Sequence, residues 1–247
     1  MTPYNHINYI RFQSIESTNT WAKQHANLLD PHQITCITSQ EQTAGRGRFQ
    51  RKWISPKGVN LYVTYFFCIP TSCSFLPNLG QILSISCSKM LEHLGFTPQI
   101  KWPNDVLIEG KKIAGILCET VSLQDKLAVV LGIGININMD SATIQSIDQP
   151  ATSLQVLSGH EWSLDEALYK LSKHLLEDLN ILQKKGFTFF RSYYEKHLAF
   201  KGQMITVQDG NRTIQGLCHT LSPQGNLIML SSSGEQIEIY AGSVISS

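Results

Sequence analysis

Several classes of protein are set aside by what this sequence lacks. Its six cysteines (Cys36, Cys68, Cys73, Cys87, Cys118 and Cys218) include no Cys-x-x-Cys pair and none at zinc-ligand spacing from a histidine. Neither a dithiol redox motif nor a Cys/His zinc site is therefore expected. Most of them sit in apolar runs, where a free thiol behaves as a small hydrophobe, and they read as reduced core residues of a cytosolic protein. No apolar run nears the ~20 residues of a membrane span, and the N-terminal segment, with Arg11 and Glu16, lacks a leader-type core. A soluble, cytoplasmic protein with no membrane partner is expected. Charge is also scarce, at 16% of 247 residues with a net charge of +1, which argues against binding nucleic acid by overall electrostatics. Any anion must be held by a local cluster. One such cluster is marked by a further absence, since no Asp or Glu occurs between Glu41 and Glu92.

What is present is enough for one full domain and a small appendage, with a hydrophobic fraction of 42% to build the core. A strand over 7–15 leads into Ser17-Thr18-Asn19, small polar residues suited to cap a helix whose apolar face is Trp21, Ala22, Ala26 and Leu29. Further strands are expected at Ile34–Thr38 and Gly58–Ile69, and a helix along Phe75, Leu79, Ile82, Ile85 and Leu94. Ile100–Val121 reads as two strands joined by a turn at Glu109-Gly110-Lys111. In the strand Leu127–Asn138, Val129, Leu131, Ile133, Ile135 and Ile137 share one face, while Val130, Gly132, Gly134, Asn136 and Asn138 share the other. A polar loop precedes a helix capped by Ser163 and ended by Gly186, and an aromatic helix runs on through Tyr194. From Gln203 onward short strands alternate with turns at Asp209-Gly210-Asn211, Pro223-Gln224-Gly225 and Ser233-Gly234. A boundary near Ala199–Gly202 divides a mixed α/β domain (1–199) from a β-only module (200–247).

Three segments carry chemistry. Gly45-Arg46-Gly47-Arg48-Phe49-Gln50-Arg51-Lys52 packs four cations into eight residues; it is either a solvated basic loop or a cradle for carboxylate or phosphate oxygens. Lys101-Trp102-Pro103-Asn104-Asp105 is either an ordinary charged turn or a strand start offering a cation, an amide and a carboxylate together. Lys112 then leads an apolar run, so its head must reach water or an anion. Gly132 and Gly134 each cost roughly 0.5–1 kcal/mol in a strand, so something approaches the backbone closely there, a ligand or a packed helix.

In this order and combination these stretches resemble the biotin–protein ligase family. The resemblance rests on Ser17-Thr18-Asn19, Gln42–Arg48 with Trp53, Lys101–Asp105, Lys112–Leu117 and Gly132–Asn136, and the β-rich tail resembles that family's C-terminal domain. It implies an α+β fold: a mixed, mainly antiparallel sheet flanked by helices, of class II synthetase-like type, followed by a small SH3-like β-barrel. It implies an enzyme that makes biotinyl-adenylate from biotin and ATP with Mg²⁺. The biotin is then passed to a lysine of a biotin carboxyl carrier protein domain of a carboxylase, and a homodimer is among the assemblies open to it. By position in the motifs, Ser17, Thr18, Asn19, Gln42, Arg46, Gly47, Arg48, Lys112, Gly115 and Gly132 fall to biotin. Arg48, Arg51, Trp53, Lys101, Asn104 and Asn136 fall to ATP. Lys112, Arg46, Arg48 and Asp105 fall to the chemistry, with Asp105 also a candidate for Mg²⁺ and for the proton of the acceptor lysine.

Departures from the pattern matter too. Many family members carry a DNA-binding helix-turn-helix domain ahead of the core, and here the first core strand starts within ten residues of Met1, so no DNA partner is expected. Gln50 stands where a glycine is common, and the last strand, Gln236–Ile245, lacks an arginine that often helps close the ATP site. Two other readings compete. A lipoate–protein ligase shares the two-step chemistry but fits the Gly-Arg-Gly-Arg and Lys-Trp-Pro-Asn-Asp runs less well. A single-stranded nucleic-acid-binding module would use Arg46, Arg48, Arg51, Phe49 and Trp53 but leaves Lys112 and the glycine-lined strand unexplained.

Overall fold

The computed structural model describes residues 6–210 and 212–246. Seven strands form the main sheet: β1 (Ile7–Phe12), β2 (Ile34–Ser39), β3 (Leu61–Pro70), β4 (Pro98–Lys101), β5 (Asp105–Ile108), β6 (Lys111–Leu123) and β7 (Lys126–Ile135). Their order is β1-β2-β3-β7-β6-β5-β4, with β1 parallel to β2 and every other pair antiparallel. Six helices accompany them: α1 (Thr18–Gln24), α2 (Leu79–His93), α3 (Ser141–Gln145), α4 (Leu154–Ser158), α5 (Leu164–Lys185) and α6 (Thr188–Lys196). The short helices α3 and α4 lie where a polar loop was expected. Each is opened by a side-chain cap, Asp140 on Thr143 N and Ser153 on Val156 N. The segment expected to hold two strands holds three, because Trp102-Pro103-Asn104 separates β4 from β5; Pro103 has no N–H to give a ladder.

The alternation of β3 and β7 sorts the core. Val63, Tyr65, Phe67, Val129, Leu131, Ile133 and Ile135 face the large core under α2 and α5, whose buried leucines include Leu171, Leu175, Leu179 and Leu182. Phe66, Cys68, Ala128 and Val130 face the other way, against Ala22 of α1 and Ala26, which lies just past the end of that helix. That second core is small, and two residues further along β7 its side chains stop at Gly132 and Gly134. The change from packed core to open cleft therefore happens within one strand.

The C-terminal strands are β8 (Met204–Asp209), β9 (Arg212–Leu221), β10 (Leu227–Leu230), β11 (Gln236–Ile239) and β12 (Ser243–Ser246), ordered β11-β10-β9-β8-β12 and all antiparallel. The expected SH3-like barrel is here a five-stranded sheet whose edges, β11 and β12, are not paired among the described residues. Asn211 of the first expected turn lies outside the described residues, as does the side chain of Gln50. The 223–225 turn is held in a socket on the main domain: Asn78 Nδ2 donates to Gln224 O (2.7 Å), while Gln81 Nε2 (2.6 Å) and Trp102 Nε1 (3.1 Å) both donate to Gly225 O. No helix among the described residues is long and apolar enough to cross a membrane.

Candidate active site

Two adjoining cavities open on the glycine-lined end of the sheet. The first holds about 90 Å³ of free space and is lined by α1, the basic loop, β5, β6 and β7. The second holds about 420 Å³ and is lined by Arg51–Ile54, Lys112, Asn136 and the 146–151 segment. The second falls within the roughly 300–1,000 Å³ of small-molecule sites, and the first is a narrower cleft that opens beside it. Arg51, Lys52, Trp53, Lys112 and Gln149 line both, so they form the boundary between the two spaces.

The strand glycines are explained by side chains. A Cβ on Gly132 would sit 2.2 Å from Asn19 Oδ1, and one on Gly134 would sit 2.3 Å from Trp53 Nε1. The approach at Gly132 thus comes from a helix residue and that at Gly134 from the loop. Gly115 on the neighbouring strand gives the same indole room, its would-be Cβ lying 3.0 Å from Trp53 Cζ3. Trp53 Nε1 is buried there without a hydrogen-bond partner, a vacancy that costs about 1–3 kcal/mol unless a ligand fills it.

The basic loop closes on itself. Trp53 N donates to Gly45 O (2.9 Å), Gly47 N to Arg51 O (2.7 Å), and Arg46 pairs with Lys52 in an isolated bridge. Phe49 at its tip takes φ 54° and is exposed. Arg48 turns inward: its Nη1 donates to Asn104 Oδ1 (2.9 Å) and to the carbonyl of Gly242 in the C-terminal sheet (3.1 Å). Burial pulls the Arg48 pKa down and Asp105 acts against that pull. With Ser243 also lining the first cavity, the C-terminal sheet reaches the site through backbone, although its last strand has no arginine.

Lys112 is the central cation. Its Nζ is 2.8 Å from Asp105 Oδ1 and 5.5 Å from the Trp53 ring, and its side chain is 17% exposed. Its backbone is tied to the loop of the second cavity, Lys112 N donating to Pro150 O and Thr152 N to Lys112 O, both at 2.9 Å. Asn136, buried beneath, donates from Nδ2 to Thr152 O (3.0 Å).

At the other end, Ser17 caps α1 and Thr18 is bound to Gln42, through Thr18 N to Gln42 Oε1 (2.9 Å) and through the hydroxyl (3.2 Å). Gln42 Nε2 donates in turn to Ser55 Oγ (3.1 Å). Thr64 Oγ1, wholly buried on β3, lies 2.8 Å from Thr18 Oγ1 and 2.6 Å from Asn19 Oδ1. Of the residues singled out in the sequence, only Lys101 lines neither cavity: its ammonium lies over Phe200, and burial lowers its pKa while Asp105 raises it. Thr64, Ser55, Glu119, Gln149 and Ser243 were not singled out. Only Glu119 had a signal, the period-two face that runs Gly115, Leu117, Glu119.

This constellation sits inside a stretch with known relatives. Residues 11–136 match the model of the biotin/lipoate A/B protein ligase family, and residues 200–246 match that of the biotin protein ligase C-terminal domain. The chain belongs to the biotin/lipoate A/B protein ligase family. It is 30% identical over 217 residues to the bifunctional ligase/repressor BirA of Escherichia coli K12, covering 87% of this chain and 67% of that protein. It is 29% identical over 221 residues to a biotin–[acetyl-CoA-carboxylase] ligase of Paracoccus denitrificans, covering 83% of this chain and 90% of the relative. The fold superposes with a TM-score of 0.80 on the Aquifex aeolicus biotin protein ligase solved with biotin and ATP, at 30% identity over 97% of this chain and 99% of that one.

Proposed function

We infer that this chain is an ATP-dependent biotin–protein ligase, which joins biotin to AMP with loss of pyrophosphate and then transfers the biotinyl group to a lysine amine of an acceptor protein, releasing AMP. The observation that carries the reading is the placement of Lys112: a half-buried ammonium on the boundary of two adjoining cavities, in a protein whose relatives include a ligase solved with biotin and ATP.

In this reading biotin lies in the first cavity and ATP extends into the second. Ser17, Thr18 and Gln42 supply hydrogen bonds to the ureido ring over the floor at Gly132 and Gly115. Asn19 serves as wall, since its amide bonds are already made to Thr64, Leu117 and Glu119. The carboxylate must attack an α-phosphate that is itself anionic, and two unit charges ~4 Å apart repel by about 4 kcal/mol at an effective dielectric of 20. Lys112, Arg46 and Arg48 lower that cost at the meeting point, with Gly47 leaving room for the ligand against the loop, and pyrophosphate leaves towards Arg51 and Asn104. Trp53 and Asn136 flank the base, the orphan indole N–H being available to it. The basic loop over the product keeps water from the mixed anhydride. Asp105, 2.8 Å from Lys112, is placed to shift that ammonium between partners and to take the acceptor lysine's proton. The acceptor proposed is a biotin carboxyl carrier protein domain of a carboxylase.

Magnesium enters as part of the ATP substrate. Protein donors for a resident ion are thin: Asp105 is already ion-paired, and no group of three His, Cys, Asp or Glu among the described residues could hold a metal. The deciding experiment supplies ATP and Mg²⁺ with biotin or lipoate in parallel, then the purified carrier domain. Biotinyl-adenylate by mass spectrometry, followed by a matching mass gain on the carrier, is expected. Adenylation of lipoate alone, or of neither acid, would overturn the assignment.

A further inference from the structure

Glu119 joins three residues remote from it in sequence, two of them in the cleft wall. Its Oε1 accepts from Lys23 Nζ (2.7 Å), and its Oε2 from Asn19 Nδ2 (3.0 Å) and Arg46 Nη2 (3.4 Å). Burial raises its pKa, but the hydrogen bonds of Lys23 and Asn19 and the charges of Lys23 and Arg46 outweigh it, so the carboxyl is held below its ordinary value and is ionised at neutral pH. Glu119 lines neither cavity; Asn19 and Arg46 line the first.

The Asn19 amide could lie in either of two orientations, with oxygen and nitrogen exchanged. In the observed one Nδ2 donates to Glu119 and to Leu117 O (3.2 Å), while Oδ1 lies against Thr64 Oγ1 and over Gly132. Exchanging them would set the amide oxygen against a carboxylate and a carbonyl at once. Thr64, a hydroxyl that can donate or accept, does not forbid the exchange; the anion and the Leu117 carbonyl do, the anion being the nearer of the two. Arg46 is the loosest partner, with its Nε buried and unpartnered, so it is held near β6 yet available to a ligand.

We propose that Glu119 is a positioning residue for the acyl-ligand half of the cleft, locking the Asn19 amide in one orientation and keeping Arg46 beside it. This rests on the biotin reading above. It predicts an effect on biotin affinity that leaves ATP use alone, because nothing in the Glu119 network touches the second cavity.

The test measures biotin binding by calorimetry without ATP, and pyrophosphate release at saturating biotin with ATP varied. Glu119→Ala should weaken biotin about tenfold, ~1.4 kcal/mol, with KM for ATP close to that of the unaltered protein. Asn19→Asp puts an oxygen against the carboxylate and should lose at least as much. In the double variant Asn19→Asp/Glu119→Gln the amide is moved across the contact, and most of the affinity should return. Unaltered biotin binding by Glu119→Ala, parallel losses for biotin and ATP, or a double variant no better than Asn19→Asp would each overturn the proposal. The double variant decides the matter even should Glu119→Ala not fold. If the unaltered protein itself fails to bind biotin, the functional reading falls and this inference with it; biotin binding without the rescue removes the inference alone.

Discussion

Two lysine–aspartate pairs in this molecule have the same chemistry and opposite settings. Lys89 of α2 and Asp178 of α5 pair between the helices that cover the main core, where the second oxygen of Asp178 accepts from Ser86 and the ammonium lies over the rings of Phe190 and Tyr193. Asp178 is 1% exposed, with one oxygen held by Lys89 and the other by Ser86. Lys112 and Asp105 pair on adjacent strands at 2.8 Å, but their other neighbours are two cavities, a loop and an indole lying on glycine. Ion pairing is therefore common to both lysines. The space beside them differs.

The comparison is most exposed at Lys112. Lys112→Ala should cut adenylate formation by roughly 10²–10³, the range for losing one preorganised electrostatic group, with little change in melting temperature. Arginine there should restore only part of the rate, since a planar fork aims differently from a point charge. A pyrophosphate-release assay at saturating biotin and ATP that found the unaltered rate would remove Lys112 from the chemistry. The mirror experiment is Lys89→Met, which strips the cation from a buried carboxylate. Urea unfolding should show a loss of about 3 kcal/mol, and adenylate formation per folded molecule should not change. Lost activity with unaltered stability would reverse the two roles.

Gly134→Ala sharpens the contrast on the site side. Its Cβ would meet Trp53 Nε1 at 2.3 Å, so the indole must leave the floor, and KM for ATP should rise about tenfold, ~1.4 kcal/mol. A crystal structure showing the indole undisplaced, or kinetics showing only biotin affected, would contradict this. The smallest effect is a pH slope. Burial, against the pull of Lys89, raises the pKa of Asp178, so the folded state holds this proton more tightly than the unfolded chain. Stability from that proton is present at low pH and lost as pH rises through the carboxylate range. Asp178→Asn, which cannot titrate, should gain on the unaltered protein in melting temperature as pH is raised from about 4 to 7. A difference that shrinks with pH would mean that the Lys89 attraction outweighs burial.

Much of the site was legible because it is built from local rules. The basic loop, the polar start of α1, Lys112 and the two strand glycines stand out where residue type conflicts with the demands of their element. Four members of the site had no such conflict. Thr64 and Ser55 look like ordinary strand and loop residues, Glu119 looks like a surface acid, and Gly242–Ser243 looks like a distant turn. Each acquires a role through partners 13 to 194 residues away. Lys101 is the reverse case: it sits in a functional-looking run and lines neither cavity, its ammonium lying over Phe200 within the field of Asp105, Lys112 and Arg51.

By itself the sequence determined the alternating faces of β3 and β7, the Ser17 and Ser163 caps and the family to which the chain belongs. These depend on periods of two and 3.6 residues and on motifs read within one segment. Only the tertiary structure decided that Asn19 and Trp53 fill the space over the glycines, that Arg48 reaches a C-terminal carbonyl and that Glu119 stands behind Asn19. It also decided that the tail forms an open-edged sheet docked by its 223–225 turn. The physical reason is that contacts between remote segments are chosen by competition for buried space and for hydrogen-bond partners, and that competition is settled only when the whole chain has packed.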